Sequence, residues 1–158
     1  MPPFSTFWNN HPIIKGDAPL LDKKVYANQC AINMHAAWIR SGKELTGYTG
    51  ALSWEKDKPK YAIRAQELAN WFASPRSHLP KVQKFGGKVA FEKIRGKKGI
   101  IFLQNYWGAG HQGDHIDLWN GSRFTERTSW LRIHLHLSWE GIWSDYRAAE
   151  SVWFWSIQ

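Results

Sequence analysis

The sequence predicts an α+β domain in which a cysteine-bearing helix near the N-terminus packs on an antiparallel β-sheet. Three observations carry that prediction. Apolar residues recur at i, i+3 and i+4 over 25–40 and again over 61–73, the rhythm of an amphipathic helix. Apolar runs of strand type begin only at Gly99. An Asn-Gly pair at Asn120-Gly121 is a hairpin signal, because both central positions of a tight hairpin turn require a left-handed backbone. Helices first and paired strands afterwards is the α+β order rather than the alternation of a parallel sheet.

Taken in order, residues 1–24 contain prolines and asparagines and are expected to wrap the surface. Residues 25–40 form the cysteine helix, with Ala27, Cys30, Ala31, Met34 and Trp38 on one face. Asn28 is its expected N-cap and Gly42 its stop. Residues 41–60 read as a loop rich in Gly and Lys. Residues 61–73 are the second helix, with Tyr61, Ala65, Leu68 and Phe72 aligned and Pro75 just past the end. Residues 74–88 are punctuated by Pro75, Pro80, Gly86 and Gly87. The run 99–103 is a buried strand, and 105–113 is a Gly-rich loop. In 115–120, His115, Asp117 and Trp119 share one side of a strand, with Ile116 and Leu118 on the other. Residues 131–137 alternate strictly, and 152–157 form a last apolar strand.

The bulk properties narrow the classes. The 158 residues fit one domain, 1–158, with a sizeable core. Apolar residues make up 43% and charged residues 22%, so the chain folds rather than staying disordered. The net charge of +8 favours polyanions such as nucleic acid, an anionic membrane or an acidic wall polymer, without choosing among them. No apolar run is long enough to span a bilayer, so membrane insertion is not expected. Residues 1–15 lack the apolar core of a secretory signal, so export, if any, is expected by a route that does not read one. The 11 tryptophans are mostly core packing, with room for one or two to line a groove.

Cys30 is the single cysteine. It cannot form an intrachain disulfide and supplies at most one thiolate to a metal. At a helix start, free N–H groups and the helix dipole favour a thiolate and are placed to hold an oxyanion. A free cysteine is also commonly a small buried hydrophobe, and the segment alone leaves both readings open. A thiol nucleophile needs a base, and the base needs an orienting partner. Of seven histidines, His11, His35 and His78 read as incidental, and His111 lies in a Gly-rich loop. His134 and His136 form a His-x-His pair on what reads as a solvated strand face, with no grouped acidic or thiol ligand. His115 is different, because it starts a strand directly after a Gly-rich loop. Asp117 shares its strand face, and Glu126 returns towards it after the turn. Position alone does not choose between the two carboxylates. Gln29, beside the thiol, and Trp107 and Trp119, flanking the histidine block, are the candidate substrate contacts. Core packing is the competing role for both tryptophans. No metal or other cofactor is expected.

Three blocks carry a family likeness: Asn28-Gln29-Cys30-Ala31-Ile32, then Gly96-Lys97-Lys98-Gly99-Ile100-Ile101, then Gly113-Asp114-His115-Ile116-Asp117-Leu118-Trp119-Asn120-Gly121. In order and spacing they resemble the type VI secretion amidase effectors of the fourth family, over a span from about residue 25 to the end. The resemblance implies a papain-like, NlpC-type cysteine peptidase, an antibacterial toxin that cuts peptidoglycan stems between D-glutamate and meso-diaminopimelate. It implies delivery into a rival's periplasm by the type VI secretion machinery, and a cognate immunity protein that blocks the active site. It assigns Cys30 as nucleophile, His115 as base and Glu126 as the acidic third residue, where the family usually has Asp. Asp117 stands in reserve. The extra cysteine pair of some members is absent, and residues 128–145 match nothing familiar. Two other readings compete on the residues alone. One is a non-catalytic basic module for glycan or nucleic acid, and the other is a papain-like transferase or deamidase acting on another amide.

Overall fold

The computed structural model describes residues 1–107, 113–126 and 149–158. Within them run helices α1 (Phe4–Asn10), α2 (Pro12–Lys15), α3 (Cys30–Arg40), α4 (Ala65–Phe72) and α5 (Gly87–Ile94). The strands are β1 (Gln83–Phe85), β2 (Gly99–Trp107), β3 (Gly113–Trp119) and β4 (Ser151–Ser156). They form a sheet of order β1-β4-β2-β3, antiparallel at every pairing. The mixed helix and antiparallel-sheet architecture is the predicted α+β class.

Period-two alternation sorts the sheet into two faces. Ile100, Phe102, Ile116, Leu118, Trp153 and Trp155 face a core shared with Phe4 and Phe7 of α1, Met34 and Trp38 of α3, and Leu68 and Phe72 of α4. Ile101, Leu103, Trp119, Val152 and Phe154 face a second core closed by Ala90 and Ile94 of α5. Central strands buried on both faces read as unbroken apolar runs, which is why 99–103 and 152–157 show so little alternation. Each of the side chains from Ile100 to Leu103 is fully buried, worth about 1.5–3 kcal/mol apiece in area removed from water.

Four expectations change. Residues 1–24 do not merely wrap the surface. Phe4, Phe7, His11, Pro12 and Leu21 are buried, Phe7 stacks on Trp38 at 5.3 Å, and the Phe4 N–H donates to the Gln158 carbonyl at 2.7 Å. A helix of seven residues is too short for its periodicity to stand out. The second helix begins at Ala65, not 61, because residues 61–63 are extended and bridge Leu52 to Ala62. Tyr61 N–H donates to Ser53 Oγ at 2.8 Å, and Ser53 N–H returns to the Tyr61 carbonyl at 2.8 Å. Helix α5 occupies a stretch whose glycines read as a break, and it is held by packing of Ala90 and Ile94, an i, i+4 pair. The cysteine helix starts later than expected, at Cys30 itself. The predicted strand at 131–137 lies outside the described residues.

Candidate active site

Cys30 opens α3. Gln29, not Asn28, is the residue before the first helical turn, yet Asn28 still does the chemical work of a cap. Its Oδ1 accepts the Cys30 N–H at 3.2 Å, satisfying one of the donors that a helix start leaves unpaired. The Cys30 side chain is half-buried against the main core. Gln29 was a candidate substrate contact, but its side chain is buried. It donates to the Leu21 and Tyr26 carbonyls at 2.7 and 3.2 Å and accepts the Leu21 N–H at 3.3 Å. Its amide fixes the loop that leads into Cys30.

Helix α3 packs directly on β3, the edge strand that carries His115 and Asp117. The two side chains share a strand face, as the i, i+2 spacing requires. His115 Nε2 lies 3.7 Å from Asp117 Oδ2. The His115 side chain keeps 20% of its exposure while that of Asp117 keeps 4%, so the imidazole reaches the surface and the carboxylate does not. The chain does turn back after Asn120-Gly121, but through the loop 120–123 rather than a two-residue turn, with Gly121 and not Asn120 at a positive φ. Asn120 Oδ1 accepts the Ser122 and Arg123 N–H groups at 3.0 and 2.9 Å, and Trp119 bridges antiparallel to Phe124. That return lays Thr125 against Asp117, whose Oδ1 accepts the Thr125 hydroxyl at 2.6 Å and whose Oδ2 accepts the Thr125 N–H at 3.2 Å. Phe124 meets the His115 ring edge-on at 5.7 Å.

A second imidazole reaches the same carboxylate. His11 Nε2 lies 3.6 Å from Asp117 Oδ1, and His11 is 1% exposed. Sequence reasoning missed it, because a histidine in a short Pro-flanked segment gives no sign of what it faces. Burial pushes the His11 imidazole below its ordinary 6.5, outweighing the opposing pull of Asp117, so His11 is neutral near pH 7. Burial by itself would raise the Asp117 carboxyl. The His115 contact, the charges of the two imidazoles and the Thr125 hydroxyl together bring it below the ordinary carboxylate value. Glu126 is half-buried at the end of the returning segment, and its charge bears on His11.

The remaining candidates fall elsewhere. Trp119 is 7% exposed, donates its ring N–H to the Ile94 carbonyl at 3.3 Å and packs on Phe91 and Phe124. It packs into the second core on the strand face it shares with His115, and at that burial it offers almost no face to a substrate. Trp107 ends β2, and its side chain lies outside what the structure describes, as do residues 108–112 and 127–148 with His111, His134 and His136. Among the described residues, no group of three His, Cys, Asp or Glu is placed to hold a metal ion.

Chemically, the strand presents an imidazole backed by a buried carboxylate, next to a helix that begins with a thiol. The model of the family described as type VI secretion system (T6SS), amidase effector protein 4 (Tae4) matches residues 26–155. The fold is similar to that of Tae4 in a Tae4–Tai4 effector–immunity complex from Enterobacter cloacae, with a TM-score of 0.68, 22% identity and all of both chains covered. It is also similar to a Tae4/Tai4 effector–immunity structure from Salmonella typhimurium, with a TM-score of 0.66, 18% identity and coverage of 100% of this chain and 99% of that one. A Tae4 structure from Enterobacter cloacae gives a TM-score of 0.62 at 18% identity, over 100% of this chain and 98% of that one. A search of the curated proteins finds no match. With its cysteine helix, its histidine strand and a family match over most of its length, the chain belongs to the type VI secretion amidase effectors of family 4.

Proposed function

We propose that this amidase effector hydrolyses the D-glutamyl–meso-diaminopimelate bond of peptidoglycan stem peptides, with Cys30 as nucleophile and His115 as general base and acid. The observation that supports it most directly is the His115–Asp117 pair at 3.7 Å on a strand packed beneath the helix that Cys30 opens. The Cys30 thiolate attacks the γ-carbonyl of D-glutamate. N–H groups at the start of α3 hold the developing oxyanion, where donors cost no reorganisation as charge appears. The imidazolium of His115 protonates the diaminopimelate amine, and the C–N bond breaks to leave a thioester. Water attacks the thioester, giving its proton to His115. The thiolate leaves, and the D-glutamyl carboxylate is released.

Asp117 is the residue we assign to orient His115. Its contact fixes Nε2 on the carboxylate side of the ring, so that proton transfer with sulfur and amine runs at Nδ1, and its charge stabilises the imidazolium. The family resemblance assigns this role to Glu126 instead. Glu126 sits one residue beyond the Thr125 contact and its charge reaches His11, so it remains part of the same acidic cluster. The chain is proposed to leave the producer through the type VI apparatus and to act in the periplasm of the recipient. No helix among the described residues is long and apolar enough to cross a membrane. Two of the solved relatives are effector–immunity complexes, and a cognate immunity protein covering the His115 surface is proposed here by likeness.

Mass spectrometry of diaminopimelate-type muropeptides tests the assignment. Wild type is expected to convert tetrapeptide stems into a fragment that begins with diaminopimelate, and Cys30→Ala is expected to leave them whole at an unchanged melting temperature. Full activity in Cys30→Ala would refute the mechanism, and a fragment cut at another bond would refute the specificity.

A further inference from the structure

One large aromatic ring is kept out of the cores. Trp54 is 62% exposed, the most of any large apolar side chain among the described residues, and Val25 and Leu52 on the two segments beside it are 48% and 40% exposed. A ring left in water forgoes most of the stabilisation that burial offers, and a cluster of such groups marks a contact surface. The ring is nonetheless held in place. The Trp54 N–H donates to the Tyr26 hydroxyl at 2.9 Å, and the two rings lie 4.8 Å apart with 57° between their planes. Tyr26 is itself buried, in a small core with Leu21, Ile32, Ala36 and Tyr61. Ser53, the residue before, exchanges two hydrogen bonds with Tyr61, both at 2.8 Å. The indole is therefore presented on a fixed backbone, with one side on Tyr26 and the rest open. That surface adjoins the approach to the thiol. Asp22 N–H donates to Glu55 Oε1 at 3.2 Å, so residues 22–26 and 54–55 run side by side. The Tyr26 carbonyl accepts the Gln29 side-chain amide at 3.2 Å, and Ala27 and Asn28, which lead on to Cys30, are exposed.

We propose that Trp54, seated on Tyr26, is a sugar-stacking platform that holds the N-acetylated glycan next to the stem being cut. One face of a pyranose carries C–H groups and packs on an aromatic ring, while its hydroxyls and amides stay in water. That chemistry suits an exposed indole on a polar surface rather than a deep apolar pocket. The reach agrees. A peptidoglycan stem joins its sugar through L-alanine, and D-glutamate follows, so the sugar stays on the acyl half that Cys30 carries as the thioester. Those two residues span about 7 Å when extended, and the step from Tyr26 to Cys30 spans at most about 14 Å. A disaccharide on that tether comes within range of the Trp54 ring when the stem is seated at the thiol. Lys23, Lys24, Lys56 and Lys58 are exposed on the same two segments and outnumber Asp22, Glu55 and Asp57 there. A net positive rim suits a polymer whose stems are rich in carboxylates. The inference rests on the reading of the substrate as a peptidoglycan stem.

Two substrates and one binding assay test it. Trp54→Ala removes an exposed ring and is expected to keep the wild-type melting temperature, and Trp54→Phe keeps a stacking surface. On a disaccharide tetrapeptide, Trp54→Ala is expected to raise KM about five- to ten-fold with kcat within about two-fold, and Trp54→Phe to stay within about three-fold of wild type. On the free tetrapeptide, which carries no sugar, neither substitution is expected to change KM. A loss of the same size on both substrates, or no loss on either, overturns the proposal. Retention on glycan strands stripped of their peptides, read in the Cys30→Ala background, needs no cleavage. There Trp54→Ala is expected to lower retention about five-fold, and unchanged retention overturns the proposal whatever bond the enzyme cuts. If no muropeptide is cut while retention still depends on Trp54, the stem assignment fails and the platform stands. A Trp54→Ala protein that keeps its KM and its retention but binds the cognate immunity protein less tightly places the ring in that interface and overturns the sugar assignment.

Discussion

At the scale of the residue, the acidic partner of His115 is open to a clean separation. Asp117 is buried, accepts from Thr125 and lies 3.7 Å from the imidazole, whereas Glu126 lies further along the returning segment. Asp117→Asn keeps the shape and removes the charge that stabilises the imidazolium, so kcat is expected to fall by about 10²-fold or more. Glu126→Gln is expected to stay within about five-fold by the same reasoning. Steady-state kinetics on one muropeptide decides between them, and the reverse ranking would return the role to Glu126. His35 makes a separate residue-scale prediction, about stability. Burial brings its imidazole down to about 4, and its Nδ1 accepts the Ala62 N–H at 2.9 Å. Between pH 6.5 and 4 the unfolded chain binds a proton that the folded chain refuses. Stability is thus complete above the unfolded value and is lost as pH falls through that window, by up to about 3 kcal/mol. His11, also held low by burial, acts in the same direction. Urea midpoints at pH 7 and 4.5 measure the slope. His35→Asn, which can keep an acceptor near Ala62 but does not titrate, is expected to flatten it.

At the scale of the element, two of the sequence blocks behind the family likeness turn out to be neighbours. Gly96 N–H donates to the Gly121 carbonyl at 2.9 Å, and Gly99 pairs with Trp119 in the sheet. The glycines answer to geometry there. A Cβ on Gly99 would sit 2.0 Å from the Trp155 carbonyl oxygen, which belongs to backbone and cannot rotate away. Gly121 has a φ of +101°, and its Cβ would press on the Gly96 backbone at 3.1 Å. Gly99→Ala is expected to cost about 3 kcal/mol or more, through separation of β2 and β4. Gly121→Ala is expected to cost less in stability, and to lower activity by disturbing the turn that brings Thr125 to Asp117. Thermal unfolding beside kcat separates the two effects. A Gly99→Ala protein with wild-type stability would show that the strands tolerate a wider spacing.

At the scale of the whole molecule, the N-terminal segment is part of the core and not a leader to it. Phe4 and Phe7 are 5% and 0% exposed, and the Phe4 N–H closes onto Gln158 at the other end of the chain. Phe7→Ala is expected to cost about 3–5 kcal/mol, visible in a denaturant melt, although the family match begins only at residue 26. The net charge of +8 acts over longer distances. Cleavage of intact, carboxylate-rich sacculi is expected to slow several-fold between low and physiological salt, with a small soluble stem less affected, because exposed charges are screened within about 8–10 Å. Equal salt responses for both substrates would remove the surface charge from any account of how the enzyme meets the wall.

The sequence by itself determined the α+β class, the cysteine at a helix start, a turn at Asn120-Gly121 and the placing of His115 and Asp117 on one strand face, without choosing between Asp117 and Glu126 as the acidic partner. All of these are local. They depend on periodicities of a few residues, on turn chemistry and on the alternation of side chains along a strand, which neighbouring residues fix without help from the rest of the chain. The family likeness was legible for the same reason, since its blocks are short and contiguous. Tertiary structure decided the rest. It buried Phe4, Phe7, His11 and Pro12, turned Gln29 and Trp119 from candidate contacts into supports, began the second helix at Ala65, and set α5 on the far face of the sheet. It also brought His11 to a carboxylate more than a hundred positions along the chain. No local pattern encodes which distant group a side chain will meet. That depends on how the layers pack, and only packing shows that the histidine capping the corner between α1 and α2 also lies beside the Asp117 carboxylate.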